Sequence, residues 1–219
     1  MTDKIKHHLS DELLMGYSAG TLPEAFSLMV AAHVSLCDEC RARLEAFDAI
    51  GGALLDADAG QVELEFEDKA LEAVFATIDG SDQPKTTAPE VTCSVLPAPI
   101  LAYVGGDVSS IKWRSVGRGV KQAILPTSKD ASARLLYIPA GAAVPDHGHA
   151  GNEITMVLQG GYSDEMDHFI RGDVEIADED LNHTPVADMN EDCICLAVTD
   201  APLKFNSFVP RLLQPLLRI

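Results

Sequence analysis

Apolar positions across residues 1–80 recur every three or four places, the period of an α-helix that buries one face. Leu13, Leu14 and Tyr17 form the first such group, and Gly20 marks its stop. Thr21, followed by Pro23 and Glu24, reads as a capping box that opens the run PEAFSLMVAAHV. Ser35, with Asp38 three positions on, is placed to cap a third helix. Its apolar stripe runs through Leu44, Phe47, Ile50 and Leu54, weakened midway by Gly51 and Gly52. A further amphipathic segment spans roughly Glu65 to Ile78, with Phe66, Ala70, Val74 and Phe75 on or near one face.

The pattern then changes. GSDQPKTTAPE has no large apolar residue and reads as a flexible linker, which we place over 81–92. Beyond it short β-prone runs (SVLPAPILAYV, ARLLYIPAG, EITMVLQGG, CICLAV) alternate with Gly, Pro and Asp turns. Many short strands between turns predict an antiparallel barrel or sandwich rather than βαβ units. The expected architecture is thus a helical unit over 1–80, a linker, and a β unit over 93–219. The closing KFNSFVPRLLQPLLRI is apolar and locally basic, fit for an extra strand, a docking tail or a contact surface.

Composition narrows the functions. Hydrophobic residues make up 47% of the 219 positions, enough for a real core, while aromatics at 5% offer no base-stacking platform. The 34 acidic against 16 basic side chains give a formal charge of −18, which a phosphate backbone would repel. The same field attracts a basic protein surface, so a nucleic-acid-binding protein is a sounder partner than nucleic acid itself. No stretch resembles a secretion signal or a membrane span, and five cysteines are an odd number for a disulfide framework; a reducing cytoplasm is expected.

Two clusters carry chemistry. In the first, Cys37 and Cys40 are three positions apart, so one turn brings both sulfurs to one side, and His33 precedes Cys37 by four at a helix junction. That spacing suits tetrahedral zinc; a redox pair or two ordinary thiols are the alternatives. A fourth ligand would come from His7 or His8. The stretch HLSDELLMGYSAGTLPEAFSLMVAAHVSLCDECRARLEAF resembles the zinc-binding anti-sigma domain, in its ChrR-type branch. The resemblance implies structural zinc on His8, His33, Cys37 and Cys40. It also implies helices that clamp an extracytoplasmic-function sigma factor in a one-to-one complex.

In the second cluster, His147 and His149 lie two apart and share a strand face, and Glu153 can return on the next strand. His183 is far enough on to join them from another strand. GAAVPDHGHAGNEITMVLQG resembles the first motif of the cupin fold at each defining position. The second motif is looser: Gly172 and Asp173 open GDVEIADEDLNH and His183 takes the metal-histidine position, but Asp178, Asp180 and Ala187 replace the usual Pro, Gly and Asn. The resemblance implies a jelly-roll barrel holding a second metal on His147, His149, Glu153 and His183. The family favours zinc there, while the donor set suits manganese, iron or nickel as well. Cys193 and Cys195 share a strand face as buried side chains, a redox pair or an accessory metal site.

The order of the two parts resembles ChrR-type anti-sigma factors over nearly the whole chain. For those proteins the resemblance implies that the helices inhibit, and that the barrel senses singlet oxygen or organic hydroperoxide. A cupin metalloenzyme (dioxygenase, hydrolase or isomerase) with an accessory helical unit is the competing expectation.

Overall fold

The computed structural model describes residues 4–59, 69–80, 94–145, 147–177 and 182–205, with backbone alone at 58–59, 79–80, 147, 149, 182 and 203–205. The expected linker 81–92, Phe66, Cys93 and the closing run from 206 onward lie outside the described residues. The helices come first: α1 Asp11–Ser18, α2 Glu24–Val34, α3 Asp38–Ala59 and α4 Ala70–Gly80.

Ser10 caps α1, its hydroxyl accepting the Leu13 N–H at 3.4 Å. The capping box expected at Thr21 does not form. Pro23 precedes α2 with no side-chain cap, because the Thr21 hydroxyl donates back to the Gly16 carbonyl instead. Ser35 likewise closes α2 rather than opening α3, donating to the Ala32 carbonyl at 2.7 Å. The cap of α3 is Cys37: its carbonyl accepts from Arg41 and its sulfur from the Cys40 N–H at 3.4 Å. The stripe expected along α3 is buried only at its start. Leu44 is buried and Phe47 partly so, whereas Ile50 and Leu54 are 58% and 66% exposed. Helix α4 also presents Leu71, Val74 and Phe75 to solvent.

One segment read as a strand is a helix, α5 Ala98–Val104, with Pro97 before it and Gly105 in the left-handed conformation after it. Proline at the first helical positions loses no intrahelical bond, so PAPILAYV opens a helix as readily as it edges a sheet. Twelve strands follow among the described residues. They are β1 Arg114–Gly117, β2 Val120–Ile124, β3 Ser132–Ile138, β4 His147–His149, β5 Glu153–Gln159 and β6 Gly161–Ser163. The remainder are β7 His168–Ile170, β8 Val174–Ala177, β9 Asn182–His183, β10 Val186–Ala187, β11 Cys193–Thr199 and β12 Leu203–Phe205. All strand pairings among the described residues are antiparallel, in a six-stranded sheet β1-β2-β3-β11-β5-β8 and two three-stranded sheets, β10-β6-β7 and β12-β4-β9.

Strand alternation divides the core in two. Leu135 of β3, Ile154, Met156 and Leu158 of β5, and Ile194, Leu196 and Val198 of β11 point outward into a cluster with the helices. The intervening Ile138, Val157, Cys193 and Cys195 point the other way, onto Tyr162, Phe169 and Ala187 of the smaller sheet. The two sheets therefore face each other as the walls of a jelly roll. Strand β11 is buried along its whole length because both faces are covered. Helix α2 lies on the outer face, where Phe26, Met29 and Val30 join the strand residues in one cluster. The helical unit is thus seated on the barrel.

Candidate functional site

The first group assembles where α2 ends and α3 begins. His33 sits in the last turn of α2, Cys37 caps α3 and Cys40 lies in its first turn; His8 arrives from the extended segment before α1. The His8 Nδ1 is 3.3 Å from the Cys37 sulfur and 3.6 Å from that of Cys40. One ligand atom from each of the four lies within 4.8 Å of all the others. Zinc–sulfur bonds of about 2.3 Å and zinc–nitrogen bonds of about 2.0–2.1 Å place tetrahedral neighbours about 3.3–3.8 Å apart. The two His8–sulfur distances fall in that range, and no pair in the group is more than 4.8 Å apart.

Its electrostatics also fit a cation. His33 is fully buried and neither ring nitrogen makes a well-formed hydrogen bond, though the Gly172 backbone approaches the ring. Burial drives its pKa down to about 4, so the imidazole is neutral and able to ligate. Burial first, then the neighbouring Cys37 thiol, pushes the Cys40 thiol up, against the Leu9 backbone and, more weakly, the charge of Arg43. A dication would reverse that preference, since a coordinated thiol ionises. Arg43 also bonds the Leu9 carbonyl at 3.0 Å and pairs with Asp11, tying α3 to the segment that carries His8. Glu39 approaches the other His8 nitrogen at 3.5 Å. His7, the other N-terminal candidate, faces Asp167 and Asp173 of the barrel instead.

The second group is partly described. β4 pairs with β9 so that His147 stands opposite His183 in register, and Glu153 begins β5 on the interior face. Burial raises the Glu153 carboxyl to about 7, against the pull of Arg134 and His183. Two partners of His183 carry no motif in the sequence. Its Nδ1 lies 2.9 Å from Glu175 and 3.0 Å from Asp164, and Glu175 in turn accepts from the Tyr162 hydroxyl at 2.6 Å. Burial disfavours the charged imidazole, but these carboxylates override it and raise His183 to about 9. Asp164, Glu175 and His183 form a second cluster with metal-ligand spacing. A carboxylate on Nδ1 orients a histidine so that its other nitrogen can ligate. In strand β8 Glu175 is buried while its neighbour Ile176 is exposed. Cys193 and Cys195 lie on the interior face with sulfurs 3.4 Å apart.

No described helix is long and apolar enough to cross a membrane. Residues 102–202 match the family described as the ChrR cupin-like domain. The anti-sigma-E factor ChrR of Cereibacter sphaeroides is 55% identical over 215 residues, covering 98% of this chain and 99% of that one. The solved structure of Rhodobacter sphaeroides SigE in complex with the anti-sigma ChrR matches at 51% identity and a TM-score of 0.78. That match covers 90% of this chain and 100% of the solved one. Identity at this level, sustained through both the helices and the barrel, makes this chain a member of the ChrR family of anti-sigma factors, regulators rather than enzymes.

Proposed function

We propose that this chain is a zinc-dependent, cytoplasmic anti-sigma factor that holds an extracytoplasmic-function sigma factor in a one-to-one complex and releases it under oxidative stress sensed by the barrel. The observation that carries the reading is the near-full-length identity to an anti-sigma factor. The structure adds support: Ile50, Leu54, Leu55, Leu71, Val74 and Phe75 lie exposed on two helices of an acidic chain. Exposed apolar helix residues on a strongly acidic chain suit a basic, DNA-binding partner.

Zinc on His8, His33, Cys37 and Cys40 would supply a four-point staple for a helical unit too small to be robust by burial alone. His147, His149, Glu153 and His183 would hold the second metal in the barrel, with Asp164 and Glu175 orienting His183.

Coexpression with the sigma factor, followed by light scattering of the purified material, tests the reading. A one-to-one complex that loses affinity for RNA polymerase core is expected. Phe75→Glu should weaken the complex at least tenfold while moving unfolding stability by less than about 0.5 kcal/mol, as for other exposed positions. A metal-loaded chain that never associates with a sigma factor would overturn the proposal.

A further inference from the structure

The second cupin motif opens with Gly172 and Asp173, on the turn between β7 and β8. Asp173 is fully buried, yet its carboxylate does not face the barrel interior occupied by Glu175 and His183. One oxygen accepts the backbone N–H groups of Lys6 at 2.6 Å and His7 at 2.9 Å; the other accepts from Ile170 at 3.0 Å. The Val174 N–H closes the contact by donating to the His7 carbonyl at 3.3 Å. Around it the His7 ring packs 4.6 Å from Phe169, lies 3.6 Å from Asp173 and reaches Asp167 at 3.1 Å. Gly172 has φ +91°, and a Cβ there would fall 2.5 Å from the Ile5 side chain, so the turn passes tightly under the N-terminal segment.

The next residue along that segment is His8. The contact therefore ends one peptide unit from a member of the His8, His33, Cys37 and Cys40 group, while the Gly172 backbone approaches His33 from the same turn. An extended chain at its N-terminus has no helix to fix it, and a ligand on such a segment loses conformational freedom when it binds. A carboxylate gripping two successive amides removes much of that freedom beforehand, and charge-assisted bonds to a buried acceptor are the strong kind.

We infer that Asp173 is a positioning residue for the N-terminal metal centre: the barrel, through this carboxylate, holds Lys6 and His7 so that His8 faces the two cysteines. The helical unit's metal hold is thus shared with the barrel. Any displacement of the β7–β8 turn is felt one residue from a ligand. This rests on the proposed metal binding by the four residues.

The test uses the full chain loaded with cobalt, whose thiolate charge-transfer band reports Cys37 and Cys40; it should weaken in Cys40→Ser and vanish when Cys37→Ser is added. Asp173→Ala should weaken cobalt retention against a competing chelator about 10- to 100-fold, the usual scale for partners that orient a ligand. Asp173→Asn, which keeps one acceptor oxygen, should fall between it and wild type. Because Asp173 would act through His8, the His8→Ala, Asp173→Ala double variant should bind no more weakly than His8→Ala alone. Lys6→Pro removes one gripped amide from the other side of the contact and should weaken retention too, which decides the matter if Asp173→Ala does not fold. Near-UV circular dichroism verifies the barrel in each variant. Folded Asp173→Ala and Lys6→Pro proteins that retain cobalt like wild type, or an additive double variant, would overturn the inference while leaving the metal centre standing. Absence of a thiolate band in the wild type would instead remove the metal reading and this inference with it.

Discussion

At the scale of single residues, the first ligand group was legible because its chemistry is short-range: a helix end and a three-residue turn place His33, Cys37 and Cys40 together by local geometry alone. His8 was not legible that way, since spacing left His7 equally eligible and the choice came from resemblance. The structure separates them physically, with His8 beside the sulfurs and His7 against the barrel's Asp167 and Asp173. Asp164 and Glu175 escaped notice because acidic side chains in a chain of charge −18 look like solvated surface. His33 carries a prediction with two opposite signs. Its buried nitrogens lack well-formed bonds, and leaving such groups unsatisfied costs about 1–3 kcal/mol. His33→Leu should therefore stabilise the metal-free protein by about that amount, while abolishing the stabilisation that added zinc gives the wild type. Urea unfolding with chelator and with zinc measures both. A metal-free variant less stable than wild type would show that the imidazole is held by the protein itself.

At the scale of elements, periodicity found the helices and the strand-rich half, and erred where two signals compete. PAPILAYV carries β-prone residues, but prolines that cost a helix nothing at its start let α5 form. The α3 stripe continues past the point where anything covers it, since periodicity reports what a helix can bury and not what is there to bury it. How α2 meets the barrel was beyond pattern reading, because it depends on residues far apart in sequence. Glu24, the first residue of α2, accepts from the Tyr103 hydroxyl at 2.7 Å and from the Ser128 N–H at 2.6 Å. The Tyr103 bond, then the Ser128 bond, hold its carboxyl below the ordinary value of 4.5. A depressed carboxylate contributes stability that is complete above that value and disappears as pH falls through the lowered one. Wild type should therefore lose stability relative to Glu24→Gln as pH drops below about 4.5, with the two curves parallel above it. Urea midpoints between pH 3 and 7 show whether the difference changes in that window; a constant offset would mean that Glu24 keeps no preferential hold on its charge when folded.

At the scale of the whole molecule, the sequence reads as two modules on a linker, and each module's character is right. What the pattern could not convey is that the outward face of the barrel's large sheet is apolar because helices cover it. The alternation in β5 and β11 gave way to continuous hydrophobic runs, and such runs mean burial on both faces. Met29 of α2 is fully buried in the cluster that also holds Met156, Leu196 and Val198. A cavity there removes packing from both halves at once, so Met29→Ala should cost about 2–5 kcal/mol, the range for large-to-small core changes. Because one cluster spans both halves, the helical signal in the far ultraviolet and the aromatic signal of the barrel should fall together at a lower denaturant midpoint. If the helical signal melted early while the barrel kept its wild-type transition, the two halves would be separate folding units in contact. A coincident shift would mean that the part expected to bind a sigma factor and the part expected to sense stress share one stability, so that a strain introduced in the barrel lowers the free energy of opening the helices as well.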